Sequence, residues 1–413
     1  MLDTTRVHKN RATHKEILEE HLIKIDAAIR KHYKEEKNAG VLVGLSGVSL
    51  FQFYYSKYLD VNSNANFGVA LLSQVIEGID DGYGYPTFCD GIAGAGWVLD
   101  HLEHAELMEI ETDDLLSQLD GYLHTAMVSD MKLGNYDFLH GAIGYALYFL
   151  NRYKCTKSGK LKKRYRAYLL EFISFLDELS EKDEGIHLKW ISIHPRSQEK
   201  NYNLGLSHGI SGIIGILVKL CQYDEFKPLT LSMLKGAVGY VISFKKENNA
   251  FSLFPNRVLL NGETGGNSRL GWCYGELGIG LQLYYASKVL RDEKLRRESI
   301  SILKHAADRT TPDKSLVKDA IVCHGSYGIA QIFSRVYKET KIPMFRDITE
   351  FWIQDGINKA IHKDGYAGYK RWRDVNEWVA EVSLLEGISG MGLVIIDYLA
   401  DFETTWDECL MIS

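Results

Sequence analysis

The amino-acid sequence predicts an all-α fold, a closed α/α toroid of seven helical hairpins with short β pieces in its longer loops. Three observations lead there. Prolines are scarce, 6 in 413 residues, so long helices with few forced breaks are expected. Glycines number 37, although glycine weakens a helix interior, so they need a separate explanation. Many of them fall into one pattern, Gly-x-x-Gly opening an apolar run, which occurs seven times.

The pattern begins at Gly44, Gly91, Gly141, Gly209, Gly275, Gly325 and Gly387, at intervals of 47, 50, 68, 66, 50 and 62 residues. Such spacing is long and uneven for a two-helix repeat, which puts the extra length in loops. Each pattern leads a stretch such as GVSLFQFYYSKYL or GIIGILVKLCQY. A helix apolar on nearly every face is a buried one. Before each lies a more polar stretch: residues 15–36, 66–79, 112–131, 160–180, 228–247, 290–309 and 346–361. In the first, Ile17, Leu18, Leu22, Ile23, Ile25 and Ile29 mark one helical face. Seven outer helices alternating with seven inner ones describe a toroid in which each hairpin covers its neighbours. Glycine pairs at the inner-helix starts are expected where crowded helix ends converge. The chain exceeds the length at which one ordinary core stops growing, so one toroid domain over residues 1–413 is the expected organisation.

Three connections are longer than the rest: residues 181–208, 248–274 and 362–386. They carry strand-like pieces, IHLKWISIH and AFSLFPNRVLL. Loops of this length are usually functional or disordered. Tyr366, Tyr369, Trp372 and Trp378 in the last suit substrate recognition and core packing equally.

With 46% hydrophobic and 25% charged residues, a soluble globular protein is expected. A net charge of −6 without a concentrated Lys/Arg stripe argues against a nucleic-acid partner. The first 34 residues lack a signal-peptide apolar region, and no apolar run reaches the length of a membrane span. The cytoplasm is the expected location, with peripheral attachment to a membrane-bound biosynthetic complex left open. Six cysteines are too sparse for a disulfide scaffold, and those near a histidine read as metal ligands or nucleophiles.

If all seven inner helices start at one rim, the residue before each first glycine faces one central mouth. That position reads Val43, Asp90, His140, His208, Tyr274, His324 and Glu386, with Cys273 and Cys323 directly behind two of them. An ordinary core would place apolar residues there. Cys273, Cys323 and His324 supply two thiolates and an imidazole from neighbouring helix starts, a set that suits zinc with a fourth position open. A helix N-terminus favours the thiolate form. Cys155, Cys221 and Cys409 read as small core hydrophobes. Cys89, two before its glycine, is read the same way despite its rim position. His208 suits a fourth ligand, a general acid or base, or a structural role. Asp137 suits fixing an imidazole tautomer or capping a helix. Arg269, four residues before Cys273, suits an oxyanion or a surface ion pair.

The strings Arg269-Leu-Gly-Trp272-Cys273-Tyr274-Gly275, Cys323-His324-Gly325 and Ser207-His208-Gly209, with Asp137 upstream of Gly141, resemble the signature of the lanthionine synthetase C-like family. The likeness extends over nearly the whole chain. It implies one zinc ion on Cys273, Cys323 and His324, acid/base roles for His208 and Asp137, and Arg269 and Tyr274 close to substrate. The implied activity is lanthipeptide cyclisation, the addition of peptide cysteine thiols to dehydroalanine or dehydrobutyrine to form (methyl)lanthionine rings, with no redox cofactor or nucleotide. The implied partners are a dehydrated lantibiotic-type precursor peptide, a dehydratase and an ABC exporter. One departure is His140, where better-known bacterial members are expected to have no imidazole; it leaves open whether His140 or His208 partners Asp137. Two alternatives stand beside this reading: a relative that binds or adds glutathione or other thiols without cyclising, and a prenyltransferase-like zinc toroid, whose Asp, Cys and His ligands match less well.

Overall fold

The computed structural model describes residues 4–183, 185–193, 199–247 and 250–413, with side chains from residue 14 onward. Seven inner helices are α2 (Leu45–Leu59), α4 (Ile92–His104), α7 (Ala142–Cys155), α9 (Ile210–Leu220), α11 (Glu276–Leu290), α14 (Ser326–Thr340) and α16 (Ile388–Leu399). Seven outer helices are α1 (Thr4–His32), α3 (Asn62–Asp80), α6 (Asp120–Lys132), α8 (Gly159–Glu178), α10 (Lys227–Ser243), α12 (Glu293–Ala307) and α15 (Pro343–Asn358). Short helices α5 (Thr112–Leu116) and α13 (Pro312–Ser315) lie in connections. The inner helices pack in sequence order and α16 returns to α2, closing the circle. The fold is the expected all-α toroid.

Burial separates the two layers. In α9 every residue but Lys219 is buried, whereas α12 buries Leu295, Ser299, Ile302, Leu303, Ala306 and Ala307 on one face, as an amphipathic helix must. Helices α3, α8, α10, α12 and α15 pack on the inner helix that precedes each of them. Of the two outer helices left over, α6 packs on α7 and α8, and α1 packs on α16, so the start of the chain covers the last inner helix. The expected helix over 112–131 is broken at residues 117–119. Helix α6 starts instead at fully buried Asp120, whose carboxylate accepts hydrogen bonds from Tyr148 (2.9 Å) and Tyr165 (2.7 Å).

The glycine pairs have a more local cause than converging helix ends. Each first glycine is the residue before its inner helix. A Cβ on any second glycine would come no farther than 2.6 Å from the carbonyl oxygen six residues earlier: that of Val41, Phe88, Phe138, Leu206, Trp272, Val322 or Leu384. The entering loop folds back over the first helical turn, and only glycine leaves room for it. Neighbouring repeats use the same spot. Leu384 of the last repeat presses on Gly47 of the first, Phe88 on Gly144, and Leu206 on Gly278.

Backbone hydrogen bonds between these loops run around the mouth. Leu42 N–H and Val43 N–H donate to Cys89 O, Cys89 N–H to Leu139 O, and Leu206 N–H to Cys273 O. Trp272 N–H then donates to Cys323 O, Cys323 N–H to Leu385 O, and Leu385 N–H back to Leu42 O at 2.8 Å. At the remaining junction, between the third and fourth repeats, Leu139 N–H turns to the Asp137 carboxylate (2.7 Å), and side chains make the link.

The long loops carry small antiparallel sheets, as expected. Strand β1 (Glu181–Asp183) pairs with β2 (His187–Lys189); β3 (Ser192–Ile193), β4 (Lys200–Asn203) and β5 (Arg257–Leu259) form a second sheet in that order. Strands β6 (Arg371–Asp374) and β7 (Glu377–Val379) form a hairpin with Trp372 opposite Trp378. His194, the last residue of the IHLKWISIH piece, lies outside the described residues, as do residues 184, 195–198, 248 and 249 within the long connections. Tyr369 is buried while Trp378 is exposed, so the aromatics of residues 362–386 divide between core and surface. No helix among the described residues is long and apolar enough to cross a membrane.

Glycines at a carbonyl contact and in open helix should respond oppositely to alanine. Gly328→Ala, which drives a Cβ into Val322 O, should destabilise by about 1–3 kcal/mol or more. Gly78→Ala, in α3 with nothing within 4 Å of the new Cβ, should stabilise by about 0.5–1 kcal/mol. Urea unfolding midpoints measure both.

Candidate metal centre

The loops entering α11 and α14 meet at the mouth. Gly271 lies against His324, where a Cβ would sit 2.9 Å from His324 Cβ, so a side chain there would push the two loops apart. Gly275 adopts φ +83°, a left-handed conformation that glycine accepts freely, and this turns the chain from Tyr274 into α11. Cys273, Cys323 and His324 thereby offer two sulfurs and a ring nitrogen that all lie within 4.8 Å of one another. Both cysteines are buried and reduced. His324 Nε2 is buried without a hydrogen-bond partner. The Cys323 thiol hydrogen-bonds Cys273 and, against the cost of burial, holds the Cys273 thiol well below its ordinary pKa, helped by His324 and Arg269. Cys323 is pushed the other way by that same bond and by burial. Two thiols, one of them held well below its ordinary pKa, and an imidazole are a donor set that fits a zinc ion, with a fourth position left over.

Beside this cluster stands a carboxylate–imidazole pair. His208 Nδ1 and Asp137 Oδ2 are 2.6 Å apart. Burial works against the charge on both partners; their mutual attraction outweighs it, so His208 is raised and Asp137 lowered. Asp137 Oδ1 also accepts from Leu139 N–H and His140 N–H at 2.7 and 2.8 Å. The carboxylate therefore both caps its own loop and holds an imidazole, and that imidazole is His208. His140 turns to Asp90, with Nδ1 3.7 Å from Oδ1, and Thr87 hydrogen-bonds the same Asp90 oxygen.

The remaining candidates are close by. Tyr274 lies with its ring 6.1 Å from that of His208; its hydroxyl accepts from Asn203 at 3.4 Å and burial pushes its pKa up to about 12. Arg269 sits over the Trp372 ring at 5.6 Å from its centre. The structure thus gathers all seven candidate residues at one mouth. Cys155, Cys221 and Cys409 are buried elsewhere, and Cys89, buried beside Asp90, keeps its thiol well above the ordinary value through burial, Asp90 and Glu386. Two cavities, of about 680 and 440 Å³, lie at the opposite rim, among Ser334, Lys338, Asp397, Lys219 and Lys288.

Two residues at the mouth were not anticipated. Arg371 of β6 holds Glu386, the seventh ring residue, at 3.3 Å, and Glu381 at 2.7 Å. Asp319 approaches His324, with Oδ2 3.9 Å from Nε2. A signal for Asp319 was present: the position six before each first glycine reads Asn38, Tyr85, Asn135, Asn203, Arg269, Asp319 and Glu381. It is polar in every repeat, because it begins the loop that folds back over the helix start.

The family model described as lanthionine synthetase C-like protein matches residues 35–411. The nisin biosynthesis protein NisC of Lactococcus lactis subsp. lactis is 23% identical over 348 residues, covering 78% of this chain and 76% of that protein. A solved structure of nisin cyclase superposes with a TM-score of 0.73 at 20% identity, over 96% of this chain and 98% of that one, which establishes a common fold. With the family model spanning all but the first 34 and last two residues, the chain belongs to the lanthionine synthetase C-like family.

Proposed function

We propose that this protein is a zinc-dependent lanthipeptide cyclase, one toroid domain over residues 1–413, that closes (methyl)lanthionine rings by adding cysteine thiols of a peptide to its dehydroalanine or dehydrobutyrine residues. The observation that carries this is the cluster of Cys273, Cys323 and His324, buried at a mouth beside an imidazole already held by a carboxylate. Its donor set contains no carboxylate, which favours the cyclase over a prenyltransferase-like site. The names of the similar proteins, a nisin biosynthesis protein and a nisin cyclase, point to the same class of substrate.

Cys273, Cys323 and His324 would hold the zinc, which when bound acidifies a substrate thiol whose pKa is otherwise near 8.5. The other residues handle the charge and the proton. Addition of sulfur to the β-carbon places negative charge on the adjacent carbonyl oxygen, and Arg269, with Tyr274, is placed to stabilise it. With His208 Nδ1 bonded to Asp137, its exchangeable proton is on Nε2, and His208 delivers it to the α-carbon. The proton lost from sulfur is thus balanced by the one gained at carbon. A dehydrated lantibiotic-type precursor would be the substrate, with a dehydratase supplying it and an exporter receiving the product, and the cytoplasm as the site of reaction.

Metal analysis of the purified protein should find about one zinc per chain. Cys323→Ala should lose both the zinc and the cyclisation of a dehydrated peptide; full metal and full activity in that variant would sink the assignment. Peptide binding without turnover by the wild type would make it a non-cyclising relative. Asp137→Asn should retain zinc but slow turnover about 100-fold. Because the Asp137 charge raises His208, the fall in rate as His208 loses its proton should move to lower pH in that variant. An unmoved pH profile would assign the proton transfer to another group.

A further inference from the structure

Resting on the zinc reading above, we propose that Asp319 is a positioning residue for the metal, holding His324 through Nε2 so that Nδ1 faces the ion. The first observation is His324 Nε2 itself, buried and without a hydrogen-bond partner. A buried polar atom left unmatched is costly, and such atoms in a native fold call for an explanation. The second is what it faces. Asp319 has a fully buried side chain, and its Oδ2 is 3.9 Å from Nε2, about 1 Å beyond hydrogen-bond distance. Among the described residues, His324 is the only cationic side chain shown within ion-pairing distance of that carboxylate. A buried carboxylate needs such a partner.

Asp319 is also firmly held. Its Oδ1 accepts from Ile321 N–H (3.3 Å), its Oδ2 from Trp372 N–H (2.8 Å), and its carbonyl from Ser326 N–H (3.2 Å). The imidazole is the partner to move, because moving the carboxylate would break two backbone contacts. Once His324 Nε2–H donates to Asp319, the tautomer is decided: the lone pair is on Nδ1, the form a metal needs. The same Asp319 oxygen holds the backbone of β6 at Trp372, the ring that carries Arg269. Asp319 thus fastens the histidine ligand to the hairpin that positions the arginine.

Loop capping alone would explain the backbone contacts but not the buried Nε2, and the two roles separate experimentally. Zinc affinity by chelator competition should be about 10–100-fold weaker in Asp319→Asn, with the unfolding midpoint of the metal-free protein retained. Equal affinity in variant and wild type would overturn the proposal. Nitrogen-15 NMR of histidine-labelled, zinc-loaded wild type provides a reading that needs no variant. It should show His324 as the Nε2–H tautomer with Nδ1 bound to the metal; the opposite tautomer would overturn the proposal even if Asp319→Asn fails to fold. A wild type that takes up no zinc would refute the cyclase reading itself, and this inference with it.

Discussion

The contact on which the rest of the structure depends is the closure of each entering loop over its own helix start. Seven times a carbonyl lies where a second glycine has no side chain, and the loops so formed hydrogen-bond to one another around the mouth. This geometry has a direct chemical consequence. It delivers the residue before each first glycine to one rim, so side chains from seven distant stretches of chain converge. Where a backbone bond is missing from the circle, at the third junction, the Asp137–His208 pair takes its place. The carboxylate–imidazole pair is therefore also part of the architecture, which keeps its geometry fixed to the extent that the ring is rigid.

The far side of the loop that carries Cys273 is anchored as well. Trp272, next to Cys273, donates from its indole nitrogen to Leu410 O at 2.9 Å, and Gln282 donates to Met411 O at 2.7 Å. The C-terminal turn Trp406–Leu410 is itself held by Asp407, a fully buried carboxylate paired with Arg335 of α14 at 2.6 Å and bonded by Gln331 at 2.7 Å. Removing one partner of such a buried pair strands a charge in a low-dielectric interior. The turn thus closes the end of the toroid opposite the mouth and braces α11 and α14, the two helices whose first turns carry the cysteines and histidine.

Electrostatics at the mouth is arranged in neighbouring pairs rather than as one field. Asp90 holds His140, Asp137 holds His208, Arg371 holds Glu386, and Arg269 stacks on Trp372. Each pair joins adjacent repeats or joins a repeat to the β6–β7 hairpin, so opposite charges neutralise one another at short range. The cluster of Cys273, Cys323 and His324 differs: two buried thiols and an imidazole converge there with no cationic side chain of lysine or arginine among them. That concentration of soft donors is what distinguishes it from its surroundings.

Sequence by itself determined the helical class, the seven repeats and the composition of the mouth, because helix burial and glycine spacing are local properties written every few residues. It also named His208, Tyr274 and His324, with Cys273 and Cys323 one residue behind, since residues at equivalent points of a repeat must occupy equivalent points of the ring, and Asp137 and Arg269 by their nearness to these in the chain and by the family resemblance. Tertiary structure alone decided the pairings. Whether Asp137 meets His140 or His208 turns on which side chain spans a gap between repeats, and the nearer residue in sequence loses because its ring points to Asp90. The packing of α1 on α16, the break before Asp120, and the approach of Asp319 and Arg371 to the mouth likewise arise from contacts between residues far apart in the chain or from buried partners, which no local pattern records.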